Sequence, residues 1–438
     1  MNIAAKPASK PASAMHDLGR RAAAFPGLPG MAIREWHGVV EFPVHHVRGG
    51  TSTGLVLSDK LAPADPALRE ELLRHLMGVP LTGTRAGNKQ LTGLGRVVPT
   101  GNKVFFAEIE TGSDGKPVLV STLAQLAADK SAIDWSVNCG NMSAALPFWA
   151  LDTGLVERSG DGDFTLDIRN TNTGVTAASR ISFKHGLAEN AVIPGVDGAW
   201  PGVDLFLNQP VGSKTGKLLP TGNAVDRIEG VEVSCVDVAV PMVIARASDF
   251  GRDVHDRIET FDADKPLMEK LRAVWTQAGL RMGLKKRNGE PMTADEIANS
   301  ETIPKVCLVG APNGDGNITG RYFTPQAGHR SMAVSGGCCL AAATLVPGTV
   351  AFDVARSVAR LGAAFSEVKV GIENPAGVLD AVIEARLGGV GVEIAKAAYK
   401  RSAQILLSGH VPLYHASASL RATLIGQAQA LAQTQATA

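Results

Sequence analysis

The sequence predicts an α+β protein made of two similar halves, and three observations predict it. Short apolar runs bounded by turn residues read as strands from about residue 36 onward. Apolar positions at helical spacing interrupt these runs in only a few places. The same order, strands and then an apolar helix opened by a small-residue turn, occurs twice along the chain. A parallel-sheet dinucleotide fold is disfavoured, because no GxGxxG follows a strand and no Walker-type loop is present.

The opening "MNIAAKPASKPASAMHDLGRRAAAFPGLPG" is basic, rich in Ala, Pro and Ser, and lacks the continuous apolar segment of a signal peptide, so residues 1–33 read as a disordered extension. "GVVEFPVHHV" and "TGLVLSD" read as strands joined by the turn Arg48-Gly49-Gly50-Thr51-Ser52. "PALREELLRHLMG" has apolar positions at helical spacing and is closed by Gly78. "KVFFAEIET" and "KPVLVSTLAQL" pair around "GSDGK". "DWSVNCGNMSAALPFWALDTGL" is a strand-to-helix transition in which Pro147 kinks or shortens the helix. "DFTLDIRNTNTGVTAASRISF" returns to strand character.

The cycle begins again near "LLPTGNAVDRIEGVEVSCVDVAVPMVIARASDFG" and continues through the helical "LMEKLRAVWTQAGLRMG" to the strand "PKVCLVGAP". A glycine-rich turn then precedes "CCLAAATLVPG", and strands close the chain from "AGVLDAVIEARLG" to "AQILLSGHVPL". This pattern predicts one domain over residues 34–226 and a second over 227–415, followed by a tail over 416–438 that forms a short, fraying helix.

At 438 residues, 45% hydrophobic and 19% charged, the chain suits a soluble globular protein with two sizeable cores. Lysine and arginine total 43 against 42 acidic residues, so no broad field for nucleic acid is implied, although a small anion would still be met by a few local cations. No run approaches the ~20 apolar residues of a membrane-spanning helix. The five cysteines (Cys139, Cys235, Cys307, Cys338 and Cys339) are odd in number and lack CxxC spacing, which fits a reduced, cytoplasmic protein without disulfides or structural zinc. No His/Asp/Glu cluster has metal-ligand spacing, so no metal is expected.

Cys139 stands between Asn138 and the pair Gly140-Asn141, where a helix opens. The first amides of a helix have no partner within it and favour an anion, and the same field makes a thiolate more accessible. Gly140 lets a ligand approach the backbone, and Asn138 and Asn141 offer amide donors. The alternative is a buried structural cysteine; the flanking amides favour the functional reading. "GHRSMAVSGGCCLAAATLVPG" partly echoes this arrangement: Ser335, Gly336 and Gly337 precede a second small-residue helix, but Val334 or Ser335 holds the thiol position. His329 either points into that pocket together with Arg330 or is structural. Lys103 sits at a loop-to-strand boundary among apolar neighbours, where burial makes a lysine a general base. An ordinary exposed lysine is the alternative. Arg48 is placed to pair with a carboxylate, and Thr51 and Ser52 add hydroxyl donors.

With these pieces placed, the chain resembles the PrpF family, which includes methylaconitate and methylitaconate isomerases and oxalomesaconate tautomerases. The resemblance rests on "VRGGTSTG", "LTGLG" leading to Lys103, "DWSVNCGNM", "LLPTGN", "AGLRMGL", "PK", "LVPGTV" and "RSAQILLSGHV", in that order from about residue 42 to 412. It implies a diaminopimelate epimerase-like fold, in which each of two similar domains wraps a sheet around a central helix and the site lies between them. It also implies proton transfer without a cofactor, with Lys103 and Cys139 as the acid–base pair and a small unsaturated polycarboxylate as the substrate; a homodimer is compatible with the sequence but not specified by it. Three segments depart from the family pattern: Thr53 replaces a lysine, "GRVVPTGNK" replaces "GGATSSTSK", and Asn374-Pro375-Ala376-Gly377 replaces "HPSG". These departures bear on the substrate more than on the reaction class.

The function this implies is allylic isomerisation, the shift of a C=C bond in an unsaturated di- or tricarboxylate. A racemase or epimerase would need a second acid–base group opposite Cys139, for which the sequence offers only His329. A non-catalytic binder of metabolites or partner enzymes would not depend on Lys103 or Cys139.

Overall fold

A computed structural model describes residues 31–136, 138–174, 176–286, 288–300 and 302–436. The first half carries β1 (Arg34–Trp36), β2 (Val39–Gly49), β3 (Ser52–Ser58), β4 (Lys103–Thr111), β5 (Pro117–Leu126), β6 (Ile133–Asp134), β7 (Gly162–Asn170), β8 (Thr176–Lys184), β9 (Leu187–Ala188), β10 (Asn190–Ala191) and β11 (Trp200–Asn208). Its helices are α1 (Pro66–Met77), α2 (Gly140–Ser143) and α3 (Leu146–Asp152). The local chemistry explains their limits. Asp65 caps α1 by accepting from the amides of Ala67 and Leu68, Pro66 occupies its first turn, and Gly78 ends it with φ 67°. Pro147 lies in the first turn of α3, where its missing N–H does no harm, so the expected single helix after Cys139 is divided into α2 and α3.

The second half carries β12 (Asp226–Ile228), β13 (Val231–Val238), β14 (Val240–Arg246), β15 (Lys305–Gly310), β16 (Ile318–Thr324), β17 (Ala327–Gly328), β18 (Ser366–Asn374), β19 (Gly377–Gly388) and β20 (Gly391–Pro412). Its helices are α4 (Ile258–Asp262), α5 (Lys265–Arg281), α6 (Ala294–Ala298), α7 (Val334–Ala343) and α8 (Val350–Val354), with α9 (Ala418–Ala436) following β20.

Strand pairing reveals a duplication. In the first half the pairs β2/β3, β3/β4, β4/β5, β5/β7, β7/β8 and β8/β11 run antiparallel, parallel, antiparallel, parallel, antiparallel, antiparallel. In the second half β13/β14, β14/β15, β15/β16, β16/β18, β18/β19 and β19/β20 repeat that series step for step. The last strands of the two series, β11 and β20, pair with each other and join the halves. Each sheet wraps a small-residue helix segment: α2 and α3 in the first, with Trp149 fully buried, and the wholly apolar middle of α7 in the second. The fold is therefore α+β in the predicted sense. A third cluster packs α4 and α5 on the outer face of the second sheet.

Three boundaries differ from the sequence reading. Residues 1–30 of the expected extension lie outside the described residues, but Met31 and Ile33 are buried in the first core and do not belong to a disordered segment. β20 is long enough to serve both halves: its start pairs with β19, and Ala403–Pro412 pairs with β2. Ala403, Leu413, Ala416, Leu420 and Leu424 belong to the first core, so the chain returns there well before residue 415 and the expected tail is a packed helix. β11, β16 and β18 were also absent from the sequence reading.

Candidate functional site

The duplication places the candidate residues. Lys103 is the first residue of β4, in parallel register with Gly54 of β3. Its side chain is buried, and its ammonium donates to the Pro99 carbonyl at 2.6 Å. That carbonyl belongs to a short turn that Gln125 Nε2 also contacts, at 3.2 Å. Burial lowers the Lys103 pKa below the ordinary lysine range, while negative charge on Cys139 pulls it the other way.

Cys139 is the N-cap of α2 in extended conformation, five residues past the end of β6. Asn138 Oδ1 accepts from its amide at 2.7 Å, and its thiol lies 4.0 Å from Ser52 Oγ. The amides of Gly140, Asn141 and Met142 find no acceptor among the described residues. Asn141 spans the site, donating from Nδ2 to Thr51 Oγ1 at 3.2 Å and accepting from Arg401 Nε at 2.9 Å. The β2–β3 turn can pass here only because it is glycine: a Cβ on Gly49 would sit 2.3 Å from the Asn141 carbonyl oxygen, and one on Gly50 2.5 Å from Asn141 Oδ1. Lys103, Cys139, Thr51, Ser52, Asn138, Gly140 and Asn141 thus come together.

Arg48 plays a different part from the one its sequence context implies. Its Nε donates to Gln404 Oε1 at 2.6 Å and its Nη1 to the Gly50 and Ser402 carbonyls, so it staples β2 to β20. Only Nη2 is left without an internal partner, which rules out an Arg48 free to make a bidentate carboxylate pair.

In the second half α7 begins at Val334 with Ala333 as its N-cap, so Ala333, five residues past β17, is the counterpart of Cys139. The expected alignment with Val334 or Ser335 is off by one or two residues. The free amides are therefore those of Val334, Ser335 and Gly336, because Gly337 already donates to the Ala333 carbonyl at 2.9 Å. Gly336 and Gly337 are glycine for packing: their Cβ atoms would lie 2.3 Å from the Tyr322 ring and 2.8 Å from Leu379. His329 is half-buried against Tyr322, with Nδ1 accepting from the Ser331 amide at 3.0 Å, whereas Arg330 points outward near Glu259. Burial, and then the charge of Lys305, lower the His329 pKa.

The two helix starts meet. A Cβ on Gly140 would lie 3.2 Å from Val334 Cγ2 and 3.5 Å from the Tyr399 hydroxyl. Two cations that the sequence motifs contain were not named there as site residues: Arg401 in the middle of β20, whose Nε donates to Asn141 Oδ1, and Lys305, which follows Pro304 at the head of β15. The remaining cysteines are fully buried, with Cys235, Cys307 and Cys338 pushed up to about 12. Among the described residues no group of three or more His, Cys, Asp and Glu side chains is placed to hold a metal, and no helix is long and apolar enough to cross a membrane.

Comparison with known proteins agrees with this architecture. The chain is 31% identical over 377 residues to a 4-oxalomesaconate tautomerase of Pseudomonas putida, covering 85% of this chain and 96% of that protein. It is 31% identical over 373 residues to a (4E)-oxalomesaconate Delta-isomerase of Novosphingobium sp., covering 84% and 96%. The crystal structure of a methylitaconate-delta-isomerase superposes with a TM-score of 0.73 at 25% identity, covering 88% of this chain and 97% of that one. These relatives are isomerases, and the sequence pattern described as PrpF protein matches residues 39–414. With that match spanning nearly all of both halves, the chain belongs to the PrpF family and is an isomerase.

Proposed function

We propose that the protein shifts a C=C bond in a small unsaturated di- or tricarboxylate by proton transfer alone. The observation that carries this reading is a buried Lys103, its pKa lowered, within reach of the Cys139 charge, in a chain whose relatives are named for oxalomesaconate and methylitaconate. Neutral Lys103 takes a proton from the carbon activated by the conjugated acid. The electron pair moves through the former double bond onto the carboxylate or carbonyl oxygens, and a proton is returned two carbons away. No electrons are gained or lost, so the reaction needs no redox partner. The free amides at Gly140 and Asn141 stand where the extra negative charge develops; one well-placed donor of this kind contributes about 2.7–4 kcal/mol to lowering the barrier. Cys139 returns the proton or anchors a carboxylate.

Ala333 at the second N-cap offers no second thiol, so an epimerase here would have to use His329 opposite Cys139. Reduced thiols and a small-metabolite substrate fit a cytoplasmic enzyme. Proton NMR in D₂O with EDTA-treated protein and a panel of methylaconitate, methylitaconate, oxalomesaconate and aconitate tests the proposal. Bond migration with deuterium entering the product, lost in Lys103→Ala, is expected. Exchange at one carbon without migration, or binding without exchange across the panel, would overturn it.

A further inference from the structure

The duplication gives Lys103 a partner that the proposed reaction leaves idle. Lys305 is the first residue of β15, which runs parallel to β14 as β4 runs parallel to β3. Both lysines therefore head equivalent strands. Their surroundings differ in an instructive way. The Lys103 ammonium is held by the Pro99 carbonyl, whereas the half-buried Lys305 ammonium meets no carboxylate and no hydrogen-bond acceptor among the described residues. Burial alone brings Lys305 down to about 8, the mark of a cation removed from water without compensation.

Val306 pairs with Phe323 and Phe323 with Gly328, so the head of β15 lies two strands from the end of β17. His329 follows that end, feels the Lys305 charge and leads by four residues into Ala333 at the head of α7. The Val334 and Ser335 amides there also lack acceptors. Gly140 and Val334, the first residues of α2 and α7, meet. The equivalent registers Gly54–Lys103 and Met242–Lys305 assign Lys305 to the α7 half of that joint as Lys103 belongs to the α2 half. Ala333 stands where the first half has Cys139, so this side lacks the acid–base pair of the first half. It does have an uncompensated cation and neighbouring donors, which suit an anion.

We propose that Lys305, with His329 beside it, binds a substrate carboxylate remote from the reacting carbons, so that the site selects acids whose charges reach across both halves. This rests on the isomerase reading for its substrate class but not for its test. The probe is propane-1,2,3-tricarboxylate, which has no double bond to move and reports binding alone. Titration calorimetry on the wild-type protein, Lys305→Gln, Lys305→Arg and Lys103→Ala is paired with steady-state kinetics on oxalomesaconate.

Loss of a charge-assisted contact weakens binding by about 10- to 100-fold. Lys305→Gln is expected to weaken tricarboxylate binding and raise KM by that factor with kcat changed less than about threefold, and Lys305→Arg is expected to recover most of the loss. Unaltered affinity and KM in Lys305→Gln, or a loss confined to kcat, would overturn the proposal, as would a wild-type protein that does not bind the probe. If no acid of the panel is isomerised yet the probe binds in a Lys305-dependent way, the isomerase reading fails and the binding role of Lys305 stands.

Discussion

Replacing Gly49 with alanine tests whether the β2–β3 turn positions the site helix or merely passes beside it. Gly49 ends β2, pairs with Ser52 and Ala403, and leans on the backbone of α2. An added Cβ would lie 2.3 Å from the Asn141 carbonyl oxygen and 2.9 Å from Met142 Cα, and neither atom belongs to a flexible side-chain end. Reaching an ordinary contact requires the two segments to separate by about 1 Å. Overpacking of this kind destabilises by about 1–3 kcal/mol. The same movement displaces Asn141 from Thr51 and shifts Cys139 relative to Lys103, and a misplacement of about 1 Å at a reacting group can reduce the rate by roughly 100-fold. The control is Gly409→Ala on β20, where a Cβ meets nothing within 4 Å. Urea unfolding and kcat on oxalomesaconate, measured on both variants at a temperature where both are folded, give the answer. A Gly49→Ala protein that matches the Gly409→Ala control in kcat would refute the positioning argument, even if its stability fell.

Lys103→Ala is expected to lower kcat about 10²- to 10⁴-fold, the usual contribution of a positioned acid–base group. Because a base must be unprotonated and burial lowers this lysine from 10.5, wild-type kcat/KM is expected to rise with pH through a midpoint below 10.5; a profile that falls as pH rises over that limb would show that the ammonium form is required. Iodoacetamide at neutral pH is expected to label Cys139 first, since it alone is partly exposed among five cysteines. Peptide mass spectrometry showing Cys338 or Cys235 labelled as fast would show that the second or third core opens readily. Propane-1,2,3-tricarboxylate is expected to slow labelling of Cys139, and a rate indifferent to it would separate this thiol from the acid site.

The fold was legible where local chemistry and tertiary packing agree. Asp65, Pro66 and Gly78 mark the ends of α1, and the Gly-rich turn at 49–50 marks the first hairpin. Legibility failed where a residue's meaning depends on a distant strand. Arg48 reads as an exposed cation in a glycine turn, yet its acceptors Ser402 and Gln404 lie more than 350 positions away. Gly336 and Gly337 read as an anion loop, yet Tyr322 and Leu379 require their missing side chains. β16 interrupts its apolar run with Gly320 and Arg321, and only pairing with β15 and β18 makes it a strand. Arg401 shows nothing in its neighbours to mark it, because its partner Asn141 comes from the other half.

The equivalence of the two N-caps can be put to a single-residue test. Cys139 and Ala333 each stand five residues beyond a two-residue strand, each opens a helix, and the residues that follow them, Gly140 and Val334, are in contact. If the pseudo-symmetry holds at the level of side chains, Ala333→Cys puts a second partly exposed thiol across the joint from the first. A disulfide demands Cα atoms within about 7 Å and converging Cβ vectors, so its formation is a strict measure of that geometry. Mild oxidation of the Ala333→Cys protein is expected to remove two free thiols and block turnover, both reversed by dithiothreitol, while wild type and the Cys139→Ser/Ala333→Cys protein keep their thiols. Full retention of free thiols in oxidised Ala333→Cys would mean that the halves repeat in strand order alone and that their helix starts do not face each other. The argument placing Lys305 opposite Lys103 would then lose its frame, whatever the kinetics of the lysine variants.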